Sequence, residues 1–97
     1  MKNFQSGHNG FWLTFDNGVV LSTQFGCGNY CENRNERDFD KKYTSSDAEV
    51  AIMDENNNWL TKEYENNEDN VLANVSFDKW LEIVQWCKNY KKHKEIG

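Results

Sequence analysis

A chain of 97 residues has room for one domain, spanning 1–97, and a domain this small buries only somewhat above ~60% of the surface its unfolded form exposes. Its formal net charge of −5 argues against a general nucleic-acid binder, which needs a basic footprint to neutralise phosphates. No run of about 18 apolar residues exists and MKNFQSGHNG lacks the apolar core of a signal peptide, so no membrane partner and a cytosolic location are expected.

Four Trp, four Tyr and six Phe supply the apolar area that lets so polar a chain fold. In GFWLTFDNGVVLSTQFG the alternation suits a hairpin with Asn17-Gly18 at its tip. A two-residue loop would mix apolar and polar side chains on both faces. A three-residue loop of Asp16, Asn17 and left-handed Gly18 sets Phe15 against Val19, Leu13 against Leu21 and Phe11 against Thr23, with Phe25 continuing one buried face. Trp12, Thr14, Val20, Ser22 and Gln24 then occupy a half-open second face.

The next stretch, residues 24–42, has neither strand nor helix period, yet holds two of the three cysteines and both arginines. The connection from Gly26 to Asp47 is long for a compact domain, and such connections are usually functional or mobile; a short helix within NRNERDFDKKY would shorten it. Gly26 and Gly28 bracket a turn whose N–H groups can point outward as an anion nest, Asn29 and Tyr30 add hydrogen bonding and stacking, and Arg34 and Arg37 offer planar forks for phosphate or carboxylate. Set against this, the glycines also suit a plain turn, and the arginines also suit exposed ion pairs with Glu32, Glu36 and Asp38.

AEVAIMDENNNWLTKEY predicts a second hairpin: Ala48, Val50 and Ile52 alternate with Glu49, Ala51 and Met53, the chain turns at residues 55–57, and Trp59 and Thr61 return. ENNEDN follows as a polar loop. Residues 47–69 carry eight carboxylates against Lys62 alone, a solubilising face, or a surface that imitates nucleic acid or docks on a basic partner. VSFDKWLEIVQWCKNYKK predicts a helix with Ser76 as N-cap and Val75 and Trp80 at staple positions. Phe77, Trp80, Leu81, Val84 and Cys87 form its apolar stripe. Ile83, Trp86 and Tyr90 widen it, either covering sheet edges or forming a subunit or partner interface. The expected fold is therefore α+β: a small antiparallel sheet of two β-hairpins, one C-terminal amphipathic helix packed on a face, and a long loop between the hairpins.

Specific chemistry is thin. Cys27 and Cys31 lack the second ligand pair of a zinc knuckle, and Cys87 reads as a small buried hydrophobe, so neither metal nor cofactor is expected. Neither His8 nor His93 has a spacing that recommends it as base to a cysteine nucleophile, and the carboxylate pairs Glu32/Glu36 and Asp38/Asp40 arise easily among 16 acidic residues.

FWLTFDNGVVLSTQFGCGNYCENR and SSDAEVAIMDENNNWLT, within residues 10–62, resemble a family of small uncharacterised bacteriophage proteins that share a Gln-Phe-Gly turn followed by Gly-Asn-Tyr-Cys. Gln24, Phe25, Gly26, Gly28, Asn29, Tyr30, Cys31, Asn33 and Arg34 fit the pattern; Cys27 departs from it. The resemblance implies a bacteriophage source; small phage proteins commonly act on the host, and by analogy with unrelated ones that trap immune nucleotide signals or block immune proteins, a role in the host-cell cytoplasm against bacterial immunity is expected. Three roles follow as expectations. The first is a non-catalytic, homo-oligomeric sponge for a nucleotide-derived signal, with Asn29, Tyr30, Arg34 and Arg37 on phosphate and sugar and Trp12 or Trp59 stacked on the base. The second is an inhibitor of a host defence protein, acting through the acidic hairpin or the strip of Ile83, Trp86 and Tyr90. The third is a phosphodiesterase-type hydrolase using loop carboxylates.

Overall fold

The structure, a computed structural model, describes residues 2–35, 44–66 and 68–91. It is an α+β fold in which β1 (Asn3–Ser6), β2 (Gly10–Thr14), β3 (Val20–Gln24), β4 (Asp47–Met53) and β5 (Leu72–Ser76) form one antiparallel sheet. The sheet runs in the order β1-β2-β3-β4-β5, and α2 (Phe77–Asn89) packs on one face. A four-residue helix, α1 (Thr61–Tyr64), lies between β4 and β5.

The first hairpin has the expected three-residue register, with Phe11 opposite Thr23 and Leu13 opposite Leu21. Phe15 donates its N–H to the Val19 carbonyl at 2.8 Å, and Gly18 closes the turn at φ +86°, a conformation glycine adopts without Cβ strain. Asn17 does more than turn the chain. Its Nδ2 donates to the carbonyls of Cys87 at 2.8 Å and Tyr90 at 3.0 Å, pinning the hairpin tip to the C-terminal end of α2, where the Cys87 carbonyl also accepts the Tyr90 N–H at 3.3 Å.

The two-hairpin description needs correction at both ends. Asn3–Ser6, which lies outside both expected hairpins, is an edge strand whose residues are all exposed, so it carries no alternation of burial. The expected return strand of the second hairpin is also not there: Trp59 makes a single bridge to Met53, and Thr61 opens α1. β4 pairs instead with Leu72–Ser76, with Ala48 opposite Val75 and Val50 opposite Leu72. Two steps on β4 thus match three on β5. The extra residue is a bulge, with Asn74 at φ +51°, a left-handed site that Asn tolerates better than most residues. Because the bulge changes the spacing of buried residues from two to three, the strand escapes a search for strict alternation. The short helix proposed within NRNERDFDKKY falls largely on residues 36–43, outside the described residues.

Ser76 caps α2 as expected, its Oγ accepting from the Lys79 N–H at 3.2 Å. The helix is rotated from the predicted stripe. Ile83 and Cys87 are fully buried against Leu21, Val50, Ile52 and Leu72, while Phe77 and Leu81 stay 68% and 47% exposed. The width of the apolar surface is the reason: with so many apolar positions around the helix, periodicity alone leaves its rotation free, and the packing of β3, β4 and β5 selects the side.

Candidate functional site

The segment after β3 is tightly hydrogen-bonded. Gly26 donates its N–H to Asn29 Oδ1 at 3.0 Å, and Tyr30 donates to Glu49 Oε2 at 3.2 Å. The N–H groups of Gly28, Asn29, Cys31 and Arg34 go to the carbonyls of Arg34, Gly26, Asn29 and Cys31. Asn33 Nδ2 ties the carbonyls of Phe25 and Thr44 together at 2.7 and 3.0 Å, drawing the two ends of the long connection close. The nest expected at Gly26 and Gly28 is therefore spent internally: those amides hold the loop and face no open anion site. Gly28 keeps its glycine requirement through φ +79°.

Asp47 organises this knot. Its Oδ1 accepts from the Glu32 N–H at 2.8 Å and the Ser45 hydroxyl at 3.3 Å, and its Oδ2 accepts from Asn74 Nδ2 at 2.9 Å. The Asn74 hydrogen bond, with help from Glu32 and Ser45, holds the carboxyl below the ordinary aspartate value. Asn74 also donates its N–H to the Tyr30 carbonyl at 2.9 Å, so the left-handed bulge of β5 and the loop brace each other.

Of the residues singled out in the sequence, Gly26, Gly28, Asn29, Tyr30 and Arg34 are thus brought together. Arg34 lies 4.3 Å over the Tyr30 ring, a cation–π contact on an exposed surface. Arg37 lies outside the described residues. Trp12 and Trp59 are not part of this group. Trp12 projects from the sheet face opposite α2 and packs so closely over Gly7 that a Cβ there would fall 2.4 Å from the ring. Trp59, 48% exposed, shares that face beyond Met53. Of the interface trio, Ile83 is wholly buried in the core and offers no surface, whereas Trp86 and Tyr90 pack on it, with Trp86 also edge-on to Tyr64 at 5.5 Å.

Larger, more polar hollows are lined by Trp86 and Tyr90 and by Trp59 and Tyr90; the most apolar small recess lies elsewhere, where the N-terminal end of α2 meets β2, β3 and the start of β4. It is a cleft of about 270 Å³ with walls of Phe11, Phe25, Ala48, Val75, Phe77 and Trp80 and a polar rim of Thr23, Ser45, Ser46, Asp47 and Ser76. Phe11 sits edge-on to Phe25 and Trp80, at 6.4 and 6.1 Å, and Phe77 stacks 6.4 Å from Trp80. Trp80 is fixed from inside by its Nε1–H, which donates to the Thr23 hydroxyl at 2.8 Å. Neither Tyr30 nor Arg34 lines this cleft. Its aromatic walls were visible in the sequence only as core positions; in the structure Phe11 and Phe25 face the first turn of α2, with Phe77 and Trp80 on the opposite wall.

The thiols are poorly suited to nucleophilic chemistry. Burial pushes Cys87 up to about 12 and also raises Cys31, so neither holds much thiolate at neutral pH. Cys87 is fully buried and Cys31 is 5% exposed, whereas Cys27 is partly open. Ellman's reagent is accordingly expected to modify Cys27 alone in the native protein and all three thiols after denaturation; rapid native labelling of Cys87 would contradict this packing. Among the described residues, no three of His, Cys, Asp and Glu converge in a way that could hold a metal ion. Nor is any helix there long and apolar enough to cross a membrane.

No family model, curated protein or solved structure matches the chain.

Proposed function

We propose that this protein is a non-catalytic binder that takes the flat ring of a nucleotide-like molecule into the cleft between Phe77, Trp80, Phe11 and Phe25. On this reading it works as a phage counter-defence sponge, removing an immune signal by holding it intact. The observation that carries the proposal is the aromatic cleft itself: an apolar recess with a few convergent hydroxyls is the usual form of a small-molecule site. At about 270 Å³ it has room for a base and part of a sugar, with phosphates left at the mouth. Among the described residues no Lys or Arg lines it, so what those residues offer a ligand is stacking and the hydroxyls of Ser45, Ser46 and Ser76. The phosphate-binding role expected of Arg34 passes to a peripheral position.

A second reading is favoured by one observation. Phe77 and Leu81, one helical turn apart and 68% and 47% exposed, form an apolar ridge beside the cleft, which suits docking on a host defence protein.

Thermal shift with nucleosides, cyclic dinucleotides and ADP-ribose-type molecules separates the two. A ligand present at 100 times its Kd stabilises by about 2.7 kcal/mol, which for a domain this size is a rise of roughly 10–20 °C. Phe77→Ala is expected to weaken that ligand at least tenfold while leaving the unliganded Tm nearly unchanged. No shift across the panel, with Phe77→Ala and Leu81→Ala instead abolishing stoichiometric capture of one host protein, would replace the first reading with the second. Recovery of cleaved ligand would refute sequestration.

A further inference from the structure

The two edges of the sheet are treated differently. On the β5 side, the bulge and the loop cover the edge, with Asn74 donating its N–H to the Tyr30 carbonyl. On the β1 side no covering contact exists among the described residues. Edge strands are normally guarded by charge, proline or a bulge. The segment Asn3–Ser6 has no charged residue, pairs with β2 without a break, and belongs to a chain that contains no proline.

The phase of the ladder shows which backbone groups are open. Gly7 donates its N–H to the Gly10 carbonyl at 2.9 Å, and Asn3 pairs with Thr14 and Gln5 with Trp12. In an antiparallel pair, bonded positions alternate. Residues 3, 5 and 7 therefore bond to β2, and the N–H and C=O groups of Lys2, Phe4 and Ser6 point away from it. The bonds of β2 to β3 confirm the phase, since Phe15, Leu13 and Phe11 face Val19, Leu21 and Thr23.

We propose that β1 pairs with β1 of a second copy, antiparallel and about a two-fold axis at Phe4, joining two sheets into one of ten strands. In that register the open groups of Phe4 meet those of the other Phe4, and the open groups of Lys2 meet those of Ser6. Every bond then has its symmetry mate, as an isologous contact requires. The shared parity also brings side chains of the same sheet face together. Phe4, in register with Leu13 and 86% exposed, is on the face that carries α2. It borders a groove of about 500 Å³ with Leu13, Phe15 and Lys88, the half of that face which α2 leaves uncovered. The two Phe4 rings meet on this floor. Lys2 stays 3.5 Å from Asp16 of its own chain, so no like charges are opposed at the axis.

An edge this short covers less than the ~800 Å² per partner of a standard interface, so the dimer is expected to be concentration-dependent. The proposal does not rest on the ligand cleft, which lies beside α2's other end. Sedimentation equilibrium of the full chain should show the weight-average mass rising from 11.5 kDa toward twice that between ~1 μM and ~1 mM. Phe4→Lys, which places two like charges on the axis at an exposed site, should keep it monomeric throughout with an unchanged Tm. Directly opposed bonded residues lie ~5.5 Å apart at Cα, within disulfide reach. Phe4→Cys should therefore cross-link on mild oxidation, well above the wild-type background, and Gln5→Cys should not. A monomer at every concentration, a dimer indifferent to Phe4→Lys, or cross-linking through Gln5→Cys in place of Phe4→Cys would each overturn the proposal.

Discussion

Ile83→Ala is expected to destabilise the protein by about 2–5 kcal/mol, the range for truncating a fully buried aliphatic side chain that leaves a cavity. Ile83 has no exposed surface and packs in the cluster of Leu21, Val50, Ile52 and Leu72, where α2 meets the centre of the sheet. A domain of this length loses roughly 4–8 °C of Tm per kcal/mol, so the melting temperature should fall by about 10 °C at least, and the variant is unfolded at 37 °C if the parent is only marginally stable. Leu81→Ala is the matched comparison. At 47% exposure it loses only part of its burial and is expected to cost under ~1 kcal/mol. Thermal or urea denaturation of the two variants side by side decides the rotation of the helix: a larger loss at Leu81 than at Ile83 would mean that the periodicity of the sequence, with Leu81 on the stripe, describes the packing better than the structure does.

The second large effect is expected at Asp47. Asp47→Ala withdraws the acceptor from the Glu32 N–H, the Ser45 hydroxyl and Asn74 Nδ2, and hydrogen bonds to a charged group contribute about 1.5–3 kcal/mol each where water cannot replace them. The site is only partly buried, so water recovers a share and the net loss should be about 1–3 kcal/mol. Its pH dependence has a definite sign. The folded-state pKa is lowered, chiefly by Asn74, so the carboxylate's contribution is fully present above the ordinary value of 3.8 and is lost as pH falls through the lower folded value. The stability gap between wild type and Asp47→Ala should therefore be constant from pH 5 to 7 and close below pH 3.8. A gap that persists undiminished in acid would show that the effect does not come from the charged acceptor. Because Ser45 and Asp47 also form the cleft rim, the variant should bind a cleft ligand more weakly at neutral pH, whereas Phe77→Ala should do so without the stability loss.

Both expectations turn on contacts between distant parts of the chain, and legibility divides along that line. The register of the first hairpin could be read because Asp16-Asn17-Gly18 is a local turn whose geometry dictates which residues face each other within ten positions. The cap at Ser76 could be read for the same reason, as could the burial of Cys87, a small apolar group on a helical stripe. β5 could not. Its pairing with β4 spans a loop and a short helix, and the bulge at Asn74 removes the alternation that identifies a strand.

The candidate site was legible in composition and not in place. Clustered glycines and arginines marked residues 24–42 as special, but in the described part, residues 25–35, the amides are consumed by Asn29, Glu49, Asp47 and the loop's own carbonyls. An outward nest and an inward brace have the same residue types; only the partners supplied by β4 and β5 distinguish them. The cleft shows the converse. Phe11, Phe25, Phe77 and Trp80 were each visible as apolar face residues, yet whether such residues close into a core or stand around a recess depends on where the helix lies across the sheet. Local chemistry set the turns, the cap and the apolar faces of this protein. The long-range packing of α2 and β5 decided the rotation of the helix, the role of the loop and the position of the cleft, because those depend on energies between surfaces that no short stretch of chain contains.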